Sequence, residues 1–89
     1  MSTADQQTPA LRPMYRLQWE EAQGCYVLLY PEGMVKLSQS AGEILNRVDG
    51  RRTVSKLVTD LQIAFPGADL EQDVRNFLTQ AQNHGWLDL

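Results

Sequence analysis

Tyr26-Val27-Leu28-Leu29-Tyr30-Pro31-Glu32-Gly33-Met34-Val35-Lys36-Leu37 is the stretch that decides the fold. Its first five residues form an unbroken aromatic and aliphatic run, the strongest strand signal in the chain. Pro31-Glu32-Gly33 reads as a three-residue hairpin loop, because Pro31 presets φ for a turn and Gly33 can take the positive φ of a bulged closure. The chain then returns as a strand over Met34–Ser38. Val35 and Leu37 fall on one face of it, and Met34, Lys36 and Ser38 on the other.

Upstream, Tyr15, Leu17 and Trp19 alternate with Arg16 and Gln18, the period-two pattern of a half-buried strand. The polar stretch from Glu20 to Gly24 turns the chain between this strand and the next. Three short strands in a meander predict a small antiparallel sheet. Residues 1–13, rich in Ser, Thr, Gln and Pro, are predicted to be a flexible N-terminal arm, leaving 14–89 as the folded domain.

Downstream, the period changes from two to that of a helix. Ser40-Ala41-Gly42-Glu43 has the spacing of a capping box, in which hydroxyl and carboxylate satisfy each other's orphan amides. Ala41, Ile44, Leu45 and Val48 follow at helical spacing, and Asp49-Gly50 ends the element. Thr53 can cap a second helix with the stripe Val54, Leu57, Val58, Leu61, Ala64 and Phe65, stopped by Pro66-Gly67. Asp69 with Gln72 can cap a third, with the stripe Leu70, Val74, Phe77, Leu78 and Ala81 and a stop at Gly85. The fold class is therefore α+β: a small three-stranded sheet followed by three helices, in a winged-helix-like order.

Eighty-nine residues make one domain with a thin core, burying only about 60–65% of the unfolded chain's surface, which disfavours a deep catalytic cavity. Apolar residues at 43% and charged residues at 21% lie in the globular range and exclude wholesale disorder. The single Cys25 closes no intramolecular disulfide, and with the single His84 it makes no transition-metal site. Cys25 is expected as a small packed side chain, and His84 as a helix-end residue that suits the dipole. No glycine-rich phosphate loop is present, and the adjacent Glu20-Glu21 point in different directions. No cofactor and no metal is expected, and no enzyme activity. Met1 to Pro9 lacks the features of a signal peptide and no run is long enough to span a bilayer, so a cytoplasmic location without membrane contact is expected.

The helix order invites a nucleic-acid reading, which charge opposes. Net charge is −3, and the polar face of the third helix carries Glu71 and Asp73 against Arg75. Such a face repels phosphate. A polypeptide ligand suits the chain better. The third strand is last in the meander and leaves an edge on which a partner strand can be added. Met34, Val35, Lys36, Leu37 and Ser38 are the candidate peptide-binding residues there. On the third helix, Val74, Leu78 and Ala81 are the candidates for an apolar wall and Phe77 for the core anchor; the alternative is that the whole stripe is core. The same open edge allows a homodimer by strand exchange, and a purely structural dimerisation module is the remaining alternative.

The run Leu28-Leu29-Tyr30-Pro31-Glu32-Gly33-Met34-Val35-Lys36-Leu37, with Ser40-Ala41-Gly42-Glu43-Ile44-Leu45, Asp49-Gly50, the entry Arg16-Leu17-Gln18-Trp19-Glu20 and the closing Gly85-Trp86-Leu87, resembles the PqqD family. The resemblance runs from about Arg12 to Leu89. It implies a peptide chaperone of pyrroloquinoline quinone biosynthesis, a precursor-recognition element without chemistry or metal of its own. Such a protein binds the ribosomal precursor peptide PqqA and presents it to the radical S-adenosylmethionine enzyme PqqE, which crosslinks a glutamate and a tyrosine of the peptide. It also implies that the leader adds as a strand against the third strand and third helix.

Overall fold

The computed structural model describes residues 6–89. The elements are β1 (Ala10–Leu11), β2 (Arg16–Glu20), β3 (Cys25–Tyr30), β4 (Gly33–Lys36), α1 (Gln39–Arg47), α2 (Val54–Ala64), α3 (Glu71–Asn83) and β5 (Leu87–Asp88). β2, β3 and β4 form the expected antiparallel meander with β3 in the centre, and the three helices follow. Leu17, Leu28 and Val35 stand in one cross-strand row. That row faces the helices, and α1 lies against β3.

The core gathers Leu28 from the sheet, Ile44 and Leu45 from α1, Leu57 and Leu61 from α2, Val74, Leu78 and Ala81 from α3, and Leu87 from β5. Each fully buried Leu contributes about 1.5–3 kcal/mol of transfer free energy, so these side chains from every layer decide how the helices sit on the sheet.

Local chemistry explains the boundaries and corrects several expectations. The β3–β4 loop is a two-residue turn, Pro31-Glu32, because Gly33 already pairs with Tyr30 as the first residue of β4. β4 ends at Lys36, short of Ser38. Leu37 is drawn into the core, its amide still donating to Tyr26 O at 3.0 Å. The chain must then turn, and Ser38 becomes the N-cap of α1, its Oγ accepting from the Ala41 amide at 3.2 Å. The capping box expected at Ser40 does not form: the cap lies two residues earlier, and Glu43 binds Arg47 instead. Thr53 caps α2 as expected, accepting from the Lys56 amide at 3.1 Å.

α3 is not capped by Asp69 and Gln72. Leu70 occupies the cap position with no side-chain bond of its own. Gln62 of α2 takes over that task from across the connection: its Oε1 accepts from the Leu70 amide at 2.6 Å, and its Nε2 donates to Ala68 O. At the other end, Gly85 adopts φ 82°, the Trp86 amide bonds Ala81 O and the Gly85 amide bonds Gln82 O. This Schellman closure sends the chain back as β5. His84, at the helix end, stacks on Trp86 with centroids 4.8 Å apart.

The expected arm, residues 1–13, is divided. Residues 1–5 lie outside the described residues. From Gln7 onward the chain is tied to the domain: Gln7 O accepts from the Val54 amide, Pro9 O from the Gly50 amide, and Trp86 O accepts from the Arg12 amide. Pro9 is fully buried, and Ala10–Leu11 pair with Leu87–Asp88. The polar composition of the segment hid this, because backbone groups and the Pro9 ring make most of the contacts, with Leu11 the one large apolar side chain that packs on the core. The α1–α2 connection that receives Pro9 is itself held by Asp49, whose Oδ1 accepts from the amides of Arg52 and Arg51. Those two bonds hold the Asp49 carboxyl below its usual range.

Candidate functional site

Strand order leaves β2 and β4 as the sheet's two edges. On β4, hydrogen bonding fixes which backbone groups are free. The Leu37 amide donates to Tyr26 O, so Leu37 stands at a position bonded to β3. Backbone groups of an antiparallel strand alternate in direction. Val35 therefore also bonds toward β3, whereas the amides and carbonyls of Met34 and Lys36 point to the open edge. The Met34 side chain is 51% exposed and Lys36 is exposed, so nothing in the described chain covers that edge.

β4 runs into Ser38, and Ser38 is the lip of an apolar groove of about 580 Å³. One wall is the amino half of α1, ending at Ile44. The floor and far end come from Leu61 and Phe65 of α2 and its C-cap. The other wall is the first half of α3, with Leu70, Asp73, Val74 and Phe77. The Gln62 bonds to Ala68 and Leu70 fix the rim where α2 hands over to α3. At the far end the guanidinium of Arg47 stands 6.0 Å from the centre of the Phe65 ring and bonds Glu43 at 2.8 Å. A cation so placed over an aromatic face steadies the ring.

The sequence-predicted residues divide over this geometry. Met34, Val35 and Lys36 lie on β4, Leu37 is core, and Ser38 joins strand to groove. Val74 reaches the groove floor although only 2% of it is exposed. Leu78 and Ala81, expected at the peptide wall, are 3% and 0% exposed and lie in the core, outside this groove. Phe77, expected as the core anchor, is only partly buried and forms the groove wall. A helical stripe this wide has two sides, and its residues alone do not say which side meets the core. Leu70, Asp73 and Phe65 were not among the sequence candidates. The signal for Phe65 was its place before Pro66-Gly67, where α2 stops and its last large side chain is left half out.

Among the described residues no charged or polar side chain is buried, and no three His, Cys, Asp or Glu side chains cluster as metal ligands would. No helix among them is long and apolar enough to cross a membrane. The described geometry is that of a winged-helix-like domain with an open strand edge beside an apolar groove, the arrangement used to hold an extended peptide.

Comparison with known proteins narrows the class. Residues 25–87 match the family model of coenzyme PQQ synthesis protein D (PqqD). The chain is 49% identical over 84 residues to the PqqA binding protein of Stutzerimonas stutzeri, covering 93% of this chain and 91% of that one. It is 51% identical over 82 residues to the PqqA binding protein of Azotobacter vinelandii, covering 91% and 89%. In structure it is similar to the solution NMR structure of the PqqD truncation of Methylobacterium extorquens PqqCD, described as a functional and stand-alone RiPP recognition element. That match has a TM-score of 0.76 at 30% identity and covers 91% of this chain and 88% of the other. The chain belongs to the PqqD family.

Proposed function

We propose that this protein is a cytoplasmic peptide chaperone that binds the precursor peptide PqqA as an added strand on β4 and presents it to PqqE. It performs no chemistry itself. The observation that carries the reading is the pair of outward-facing backbone positions, Met34 and Lys36, on a strand whose chain continues through Leu37 to Ser38 at the lip of the groove. Main-chain pairing supplies sequence-tolerant affinity, and alternate peptide side chains enter the groove to give selectivity. Two relatives at about half identity named for binding PqqA support the choice of ligand.

Calorimetric titration with synthetic PqqA tests it. Saturable binding that changes less than about tenfold between 50 and 200 mM salt is expected, whereas a phosphate-reading domain loses about 10³–10⁵ over that range. Absence of binding to PqqA, with duplex DNA bound instead, contradicts it.

A further inference from the structure

Two carboxylates line the groove, and they differ. Glu43 is bound by Arg47 at 2.8 Å. Asp73 is exposed and has no cation beside it among the described residues. Of the other acids in the helical half, Asp49 is matched by Arg52, Asp60 by Arg52 and Lys56, Glu71 by Arg75 and Asp88 by Arg12, while Asp69, also without a cation among the described residues, does not line the groove. Asp73 lies three residues after Leu70 and four before Phe77, so all three share one helical face. Among the described residues no basic side chain lines the groove, and Arg47, behind Phe65, is engaged by Glu43.

We propose that Asp73 selects the bound peptide by a basic side chain, Lys or Arg, next to the apolar side chain that enters between Phe65 and Phe77. This rests on the strand-addition reading above. A peptide lying along this wall displaces water from Asp73. A carboxylate that loses water without gaining a partner opposes binding, so the ligand that fits is one that brings the missing cation. The chain's net charge of −3 adds a long-range attraction for the same sign of ligand. The occupant the groove fits is thus an extended peptide that alternates an apolar anchor with a cation, not an acidic segment.

The test is binding of synthetic PqqA to the full chain and to Asp73→Asn and Asp73→Lys, with Asp69→Lys as a control for net charge and circular dichroism to verify folding. On the peptide side, each Lys and Arg is changed to Glu in turn. Asp73→Lys is expected to weaken binding about tenfold, more than Asp69→Lys and with a loss that shrinks as salt rises. One peptide Lys→Glu or Arg→Glu change is expected to restore binding to Asp73→Lys while weakening binding to the wild type. The isosteric Asp73→Asn reports the same contact if the Lys variant folds poorly. Unchanged affinity in both Asp73 variants, or a loss that no single peptide substitution reverses, overturns the proposal while leaving strand addition intact. A change confined to self-association in sedimentation assigns the groove to a second copy and also overturns it. Failure of the wild type to bind PqqA removes the underlying reading, a result distinct from each of these.

Discussion

Gly42 of α1 and Tyr26 of β3 meet so closely that no side chain fits between them: a Cβ built on Gly42 would lie 2.7 Å from Cδ2 of Tyr26 and 3.1 Å from its Cβ. The missing side chain lets α1 settle onto the central strand, and the Tyr26 ring is held from its other side by Trp19, edge-on at 5.0 Å. That seating fixes where α1 begins, and so where Ser38 meets the groove.

Gly42→Ala is therefore expected to destabilise the fold, although alanine is the better helix former by about 1 kcal/mol. Overpacking costs about 1–3 kcal/mol and wins here because the contact is with a ring base rather than a flexible tip. Urea denaturation checks the sign. In a Tyr26→Ala background the same Gly42→Ala change should become stabilising, which a general intolerance of α1 to substitution would not produce.

Leu78 and Phe77 are neighbours in different surroundings, the first buried in the core and the second half-buried at the groove wall. Leu78→Ala is expected to cost about 2–5 kcal/mol of stability and to leave the folded fraction binding PqqA at full strength. Phe77→Ala should cost less stability and weaken binding, because its ring stands at the groove wall. Denaturation and calorimetry on both variants separate the two roles; equal binding by both would place the peptide elsewhere.

Much of the fold was legible in the chain because its signals were local and mutually consistent. The hairpin run from Tyr26 to Leu37, the Thr53 cap and the Gly85 stop each fix an element within a few residues. What was not legible depends on contacts distant in sequence. The Ser38 cap follows from the burial of Leu37, the α3 cap comes from Gln62, and β1 exists because β5 returns to meet it. The groove failed in the same way. The stripe of α3 announces apolar residues, but which of them face the core depends on where α1 and α2 sit, so side-chain size was a poor guide to direction.

Deleting residues 1–11 should lower stability by at least about 1–3 kcal/mol, since the Val54 and Gly50 amides each lose a backbone acceptor, each such bond contributes about 0.5–1.5 kcal/mol, and the pairing of Ala10–Leu11 with Leu87–Asp88 is lost as well. Burial of Pro9 adds to the loss. Chemical denaturation of the shortened chain gives the value. A midpoint unchanged from the full chain would mean that this segment is attached without stabilising anything.

The β4 edge proposed for the peptide is also open to a strand from a second copy of the chain. We propose that self-association, where it occurs, proceeds by strand exchange at β4 and competes with the ligand. Sedimentation at rising concentration should show a dimer fraction that falls when PqqA is added. A dimer that binds PqqA and persists at saturation would mean that association uses another surface.

Pairing of PqqA with the outer edge of β4 is read out by amide hydrogen exchange of the isotopically labelled protein, followed by NMR with and without saturating PqqA. In the free protein the Met34 and Lys36 amides point outward and should exchange quickly, while Val35 and Leu37, bonded to β3, are protected. With PqqA bound, protection should appear at Met34 and Lys36 and change little at Val35. Binding demonstrated in the same sample, with Met34 and Lys36 exchanging as fast as before, would contradict the account.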